Sequence, residues 1–424
     1  MARCMVEKGF RRSVGISILI AAAAALAVSV TPASASYRLR HHHYHHRHSA
    51  SHHHYAARAA GPLYRGALLV DADSGKTLYA YNADMSWPPA SMAKMMMLLV
   101  AEDQIKAGRV KLTDPVRISE NSATTMGSRL GLREGEVIPL GELMKAALIR
   151  SANDAAVAVA EKIAGSTQQC VVMMNAKARS LGMTDTVYKT IDGLPPTPGH
   201  DVDTTTANDL VKVARALIYT TNLLQWSSLQ TAPFDDGVTT LHNTNHLIGH
   251  FEGCDGLKTG FTYHAGFNLT ATAKRGNMRL IAVVLGTPSN GERFSQAARL
   301  LDWGFDNYER LTVLKRGQLL PVHVQVGANE TIQPICDSDV DVLIPKRDAS
   351  AIKVNYLIPP SYPGPIKSDA AVGQVVVSDG DSVLTRAQAI CPLPASTVSV
   401  AASEPVRAPA VVPVVAPASV PGGN

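Results

Sequence analysis

The segment Trp87–Val100, WPPASMAKMMMLLV, sets the tightest limit on how this chain folds. Met95, Met96, Met97, Leu98, Leu99 and Val100 follow one another without a polar break. A helix that is apolar on every side has to be enclosed on every side, so other elements must pack all around it. Lys94 stands at the head of that run. Burying an ammonium group is costly unless it is paired or gives up its proton. Ser91 lies three residues earlier, and positions i and i+3 share a helix face, so the hydroxyl and the amine are expected to point the same way. Pro88 and Pro89 favour an extended lead-in that places Ser91 at the helix start. There the helix dipole and unpaired N–H groups favour developing negative charge. An amine in an apolar wall has its pKa pushed down, which suits it to act as a base toward a neighbouring hydroxyl.

The chain of 424 residues is long enough for two or three domains. Its net charge of +5 is small for that length, and no basic helix interleaved with aromatics points to nucleic acid. Arg3, Lys8, Arg11 and Arg12 precede the apolar run VGISILIAAAAALAVSV, and Ala33-Ser34-Ala35 offers a small-residue cleavage site. This order reads as a signal peptide over residues 1–35, with an uncleaved membrane anchor as the alternative. Either reading puts the rest of the protein outside the cytoplasm, in the periplasm or cell envelope. Cleavage leaves Cys170, Cys254, Cys336 and Cys391. The last two fall in the C-terminal region and are the first pair expected to bridge. Residues 36–61 hold nine of the fifteen histidines. They read as a low-complexity linker, as a loose Zn, Ni or Cu binder, or as a stretch that turns polycationic as pH falls.

Globular patterning begins near residue 62. RGALLVDADSGKTLYAYNAD is two strand-like runs around a DSGK turn. ISENSATTMGSRLGLREGEVIPL is glycine-punctuated and predicts short elements in loops. GELMKAALIRSANDAAVAVAEKIAG has apolar residues at helical spacing and stops on Gly165. TANDLVKVARALI predicts an amphipathic helix, GLKTGFTYHAGFNLTATAKRGNMRLIAVVLG three strands, and RFSQAARLLDWGFDNY a closing helix. Strands first, helices between, strands and a helix last: this is an α+β or mixed three-layer domain, a sheet flanked by helices with a helical insertion, over residues 62–310. Short alternating strands over 315–398 predict a small all-β domain. Residues 399–424 carry proline at every fourth position, from Pro405 to Pro421, and predict an extended tail.

Single motifs in this chain are weak signals. Ser-x-x-Lys recurs at Ser350–Lys353, and Ser-x-Asn at Ser119–Asn121. The ordered set Ser91-x-x-Lys94, Ser151-x-Asn153 and Lys258-Thr259-Gly260 is far more specific. With DADSGKTLYAYNAD, PPASMAKMMM, RSANDAA and NTNHLIGHFEGCDGLKTGFTYHAGFNL around it, the chain resembles the D-alanyl-D-alanine carboxypeptidases. These are the low-molecular-mass penicillin-binding proteins of the serine β-lactamase/DD-peptidase superfamily. The resemblance covers about Leu63 to Tyr308, and the β-rich region is similar to the family's second domain. It implies an antiparallel sheet flanked by helices and an enzyme that needs no cofactor or metal. The implied substrates are peptidoglycan pentapeptide stems, with β-lactam antibiotics as covalent inhibitors.

Carried over residue by residue, the resemblance makes Ser91 the acylated nucleophile and Lys94 its base. Ser151 relays the proton to the leaving D-alanine, Asn153 holds the substrate amide, and Lys258 supplies positive charge. Thr259 binds the terminal carboxylate with Arg293. The backbone N–H groups of Ser91 and Phe261 form the oxyanion hole around Gly260. The chain departs from the family at Phe261, where histidine is common, and in its Pro-Ala-Val tail, where the family often has a membrane-lying helix; membrane attachment is left open. Three other functions stay in view: a DD-endopeptidase on cross-links, a β-lactamase, and a catalytically silent wall- or metal-binding protein. A β-lactamase requires a deacylating carboxylate such as Glu-x-x-Leu-Asn, which YKTIDGLPPTPGH lacks. Asp154 and Asp255 beside the motifs are expected to serve capping or packing, and His242, His246, His250 and His264 have no zinc-like spacing.

Overall fold

A computed structural model of the chain describes residues 61–194, 202–347 and 352–392, together with the backbone of 412–413. The signal peptide (1–35), the histidine-rich linker apart from Gly61, and all but two residues of the tail lie outside the described residues. So does Ser350 of the second Ser-x-x-Lys match.

Gly66–Asp71 (β1) and Thr77–Tyr81 (β2) pair antiparallel across the DSGK turn, where Gly75 takes φ +75°. The Met-rich run follows as Lys94–Lys106 (α1), with Met95 to Ala101 almost wholly buried. Its enclosure is built by the elements that come next. Pro115–Arg117 (β3) and Val137–Pro139 (β4) pair around the short helix Glu120–Ala123 (α2). Leu140–Ile149 (α3), Asn153–Ala164 (α4), Thr167–Ser180 (α5) and Ala207–Thr220 (α6) all pack on α1. Leu224–Ser227 (α7) and the hairpin Thr231–Phe234 (β5) with Thr239–His242 (β6) complete the insertion. The chain then returns to the sheet as Cys254–Thr262 (β7), Gly266–Arg275 (β8) and Met278–Thr287 (β9). Asn290–Asn307 (α8) closes the domain, capped by Ser289, whose side chain accepts from the Glu292 N–H.

The sheet runs β2-β1-β9-β8-β7 with every pair antiparallel. Side chains alternate across it. Leu68, Val70, Ile281, Val283 and Leu285 join the core around α1. Ala67, Leu69, Leu269, Ala271 and Val284 pack under Phe294, Ala297 and Leu301 of α8. The result is helices, sheet and helix in three layers, as the order of elements implies, with β7 left at the sheet edge.

Two expectations need correction. GELMKAALIRSANDAAVAVAEKIAG is not one helical run: it breaks between α3 and α4, where Ser151 takes φ +63°. The loop before α3 competes for the helix start. Asn153 donates its N–H to Ser128 O, and the Asp154 carboxylate accepts from Leu130, Gly131 and Leu132. Asp154 is therefore a loop anchor, and Asp255 pairs with Arg279 at 2.8 Å, so both carboxylates serve structure. The other correction concerns the cysteines. Cys336 and Cys391 share one buried cluster yet are unbridged thiols. Across its strand pair Cys336 stands opposite Ala389 and not Cys391.

After α8 the described chain is all β. Tyr308–Leu314 pairs with Val340–Pro345, and Ser382–Ile390, Ala371–Asp379 and Ile352–Leu357 stand side by side over a valine-rich core. Val412–Pro413 pairs with Ile352–Leu357 at its outer edge. This region is tied to the five-stranded sheet by Arg310, whose Nη2 reaches the Asp71 carboxylate at 2.5 Å and Asp73 at 3.2 Å. Asp71 is completely buried. Arg310→Ala strands that carboxylate without a counter-charge and is expected to lower the urea unfolding free energy by about 3–5 kcal/mol. A loss below about 1 kcal/mol would show that the pair is solvated and does not join the regions.

Candidate active site

Ser91 does not sit in α1. It belongs to a 3₁₀ turn, Ala90–Ala93, that runs straight into the helix, and Lys94 is the first α-helical residue. Three residues per turn place i and i+3 directly over one another, and Lys94 Nζ donates to Ser91 Oγ at 3.0 Å. The lead-in also differs from the expected one: Pro89 already has helical dihedrals (φ −71°, ψ −23°) and Ala90 has φ +50°. That tight shape is held from outside. Asn268 of β8, fully buried, donates to Pro88 O at 2.9 Å and accepts the Gly286 N–H at 2.8 Å. Trp87 Nε1 donates to Ala265 O at 2.9 Å. A Cβ on Gly260 would lie 2.5 Å from Pro89 O and one on Gly193 1.9 Å from Ala90 O, so both neighbours can approach only as glycine.

Lys94 is fully buried. Besides Ser91, its Nζ donates to Asn153 Oδ1 at 2.6 Å and to Asp192 O at 3.4 Å. Burial lowers its pKa to about 8, against the opposing pull of the Asp192, Asp154 and Asp203 carboxylates. The other end of the Asn153 amide donates to Met126 O at 2.7 Å, so this side chain locks the lysine to the loop before α3. Burial raises Asp203 to about 6, although it accepts from the N–H groups of Lys189 and Thr190 and from the Thr190 hydroxyl.

The facing wall is the edge strand β7. Lys258, also fully buried, donates to Thr259 O at 3.1 Å. Burial lowers its pKa well below the usual lysine value, and the charges of Lys94 and Arg293 push the same way. Thr259 Oγ1 bonds Thr244 Oγ1 at 2.8 Å, and the Thr244 N–H donates to Ile149 O at 3.1 Å. The strand is thereby tied to the end of α3, two residues before Ser151. Ser151 is buried, and among the described residues its hydroxyl makes no hydrogen bond. Arg293 reaches from α8 to donate to Gly260 O at 3.1 Å and Asn268 O at 3.4 Å. Burial lowers it to about 10, so it remains a cation at neutral pH. Phe261 is 41% exposed and stacks on Phe267, ring centroids 4.2 Å apart.

The structure thus joins Ser91, Lys94 and Asn153 by direct hydrogen bonds and sets Lys258, Thr259 and Gly260 along one strand, with Arg293 of α8 bonded to it at Gly260 O. Ser119 of the second Ser-x-Asn match instead caps α2 and bonds Glu161. Among the described residues no His, Cys, Asp or Glu cluster is placed to hold a metal. Asn268, Thr244, Asp192 and Gly193 were not singled out from the sequence. Asn268 carried a signal: it is an amide within residues 267–273, a run otherwise of apolar and threonine residues, where a buried polar group must have partners.

Residues 56–289 match the family described as D-alanyl-D-alanine carboxypeptidase. The chain belongs to that family. The resemblance drawn from the three motifs therefore holds, and residues 308–421 match the C-terminal domain of penicillin-binding protein 5. Among relatives of this carboxypeptidase-family chain, DacF of Bacillus subtilis is 34% identical over 331 residues, 76% of this chain and 83% of that protein. DacC of Escherichia coli is 33% identical over 73% of this chain and 78% of its own length. Penicillin-binding protein 5 of Haemophilus influenzae superposes with a TM-score of 0.66 at 28% identity, covering 78% of this chain and 97% of that one. Penicillin-binding protein D2 of Listeria monocytogenes, solved in its ampicillin-bound form, superposes at 0.53 and 29% identity, covering 58% and 98%.

Removing the Asn268 amide should loosen the Ser91 turn while leaving Ser91 and Lys94 in place. Asn268→Ala leaves the Gly286 N–H unpaired and is expected to cost about 1–3 kcal/mol of stability. Covalent labelling by a fluorescent penicillin should slow by about ten- to a hundredfold, since misplacing a reacting group by an ångström costs that much. An unchanged labelling rate would show that the turn holds its shape without β8.

Proposed function

We propose that the protein is an exported serine-type DD-carboxypeptidase that removes the terminal D-alanine of peptidoglycan stem peptides through an acyl-enzyme on Ser91. One observation carries the reading: a fully buried amine, lowered to about 8, stands 3.0 Å from a serine hydroxyl. Lys94 takes the proton as Ser91 Oγ attacks the carbonyl between the two D-alanines. The oxyanion is received by the N–H groups of Ser91 and Phe261, donors worth about 3 kcal/mol each in a transition state. The Ser151 hydroxyl passes a proton to the departing amine, and Lys258 supplies positive charge there. Water then attacks the ester and frees Ser91.

The electrostatics favour this substrate class. Lys94 and Arg293 both act on the buried Lys258, and a carboxylate arriving beside it relieves that repulsion. Thr259 is the group to bond it, with Arg293 placed behind the strand. Asn153 accepts from Lys94 and is the group to bond the substrate amide when the stem lies along β7. β-Lactams imitate the same acyl group. The segment Tyr188–His200 has no glutamate for fast deacylation, so a slowly released penicilloyl adduct fits better than a β-lactamase. A DD-endopeptidase uses identical chemistry, and mass spectrometry of products from cross-linked muropeptides separates the two. Export rests on the signal-like N-terminus; among the described residues no helix is long and apolar enough to cross a membrane.

Ser91→Ala should abolish both D-alanine release and penicillin labelling; a variant that still labels would mean another nucleophile. In the native enzyme only the neutral amine accepts the proton. With a pKa of about 8, roughly a tenth of it is neutral at pH 7. The acylation rate should therefore climb about tenfold per pH unit below that value and level off above it. A flat profile from pH 6 to 9 would overturn Lys94 as the base.

A further inference from the structure

Phe261 also marks the edge of a second feature. Aromatic residues make up only 5% of the chain, yet Tyr64, Trp87, Phe261 and Tyr263 together line a groove of about 680 Å³ at the turn end of β7 and β8. That volume lies within the roughly 300–1,000 Å³ of small-ligand sites. Tyr263 is completely exposed. A ring in water contributes nothing to folding; Tyr263 and the exposed Phe261 stand beside the half-buried Tyr64 and Trp87, and exposed aromatic surface of this kind marks a contact site. The floor is built for openness: a Cβ on Gly286 would fall 2.6 Å from Arg65 Cγ and 2.8 Å from Trp87 Cζ2. Arg65 and His264 stand in the wall, both exposed, and no carboxylate lines it.

Direction along β7 identifies the occupant, given the function proposed above, on which this inference rests. The terminal carboxylate lies toward Lys258 and Thr259, and the scissile carbonyl lies at the Phe261 N–H. The acyl side of the stem then runs past Phe261 toward Tyr263. An extended chain advances about 3.3 Å per residue, so the four residues on the acyl side of the cut reach about 13 Å further on, toward the groove. The root of the stem is an N-acetylated amino sugar, and the residues beside it carry carboxylates. Tyrosine and tryptophan give rigid, amphipathic faces suited to a sugar ring, and Arg65 pairs with carboxylates.

We propose that this groove is a saccharide subsite: it holds the amino sugar at the root of the stem, directing the enzyme to stems still attached to glycan. The test compares kcat/KM for D-alanine release from three substrates: an N-acylated tripeptide ending in D-Ala-D-Ala, a sugar-free pentapeptide, and the same pentapeptide on its disaccharide. The native protein should prefer the disaccharide form over the sugar-free one by about tenfold, the worth of one good ring contact. Tyr263→Ala and Arg65→Ala, both at exposed positions, should lose most of that preference through KM and leave the tripeptide within about twofold. Equal native rates on the two pentapeptides would overturn the subsite, as would variants that slow all three substrates alike. If the native protein labels with penicillin but hydrolyses none of the three, the carboxypeptidase reading has failed. The subsite then stands or falls by calorimetry with the disaccharide alone: binding lost in Tyr263→Ala upholds it, and no binding to the native protein overturns it.

Discussion

An amine without water around it must find every partner within the protein, and Lys94 draws its partners from three separate parts of the chain. Ser91 comes from the 3₁₀ turn, Asn153 from the start of α4, and the Asp192 carbonyl from the loop before residue 195. None of these segments is close to another in sequence, so the lysine fixes their mutual positions. The Met-rich wall explains why the amine is dry, and dryness explains why its pKa is low enough for it to take a proton near neutral pH. Replacing Asn153 with an apolar residue would leave the ammonium form one acceptor short.

The second constraint is charge. Lys258 is a residue of β7, whereas Arg293 approaches that strand from α8. Lys258 shares the side of Asn268 and Thr270, which bond Pro88 and Met92. Arg293 comes up from α8 beneath Gly260. The strand is therefore loaded with positive potential from both sides, and its one carboxylate, Asp255, is already taken by Arg279. Such a strand is stable because its cations are spent on backbone carbonyls, and it is receptive because an anion improves every one of those interactions at once.

Much of this was legible beforehand, and the failures share a cause. The unbroken run after Lys94 required a buried helix, and alternating valines, leucines and threonines around KRGN required a hairpin; both patterns depend only on local period. The break at Ser151 did not show because Ala146–Val159 keeps its apolar spacing through it. What breaks the helix is Ser128 and the Leu130–Leu132 backbone, some twenty residues away. The 3₁₀ turn at Ser91 depends in the same way on Asn268, far along the chain. The Cys336–Cys391 expectation failed because proximity in sequence region says nothing of strand register, which puts Ala389 in the place a bridge would need. Site chemistry was readable from spacing, whereas the devices that shape the site are long-range hydrogen bonds.

The position of β7 in the sheet joins these points. An edge strand exposes unpaired backbone groups, and proteins generally cover or disrupt such edges. Here the edge is neither shortened nor bristling with charge: Leu257 to Gly260 are buried under the 3₁₀ turn and the Thr244 loop. The cover stops at Phe261, which is where exposure begins and where the aromatic groove opens. On the proposed reading, a stem peptide laid along this strand gains main-chain hydrogen bonds with its carbonyl beside Ser91, and the point at which the cover ends is what would set which end is cut and which end is held.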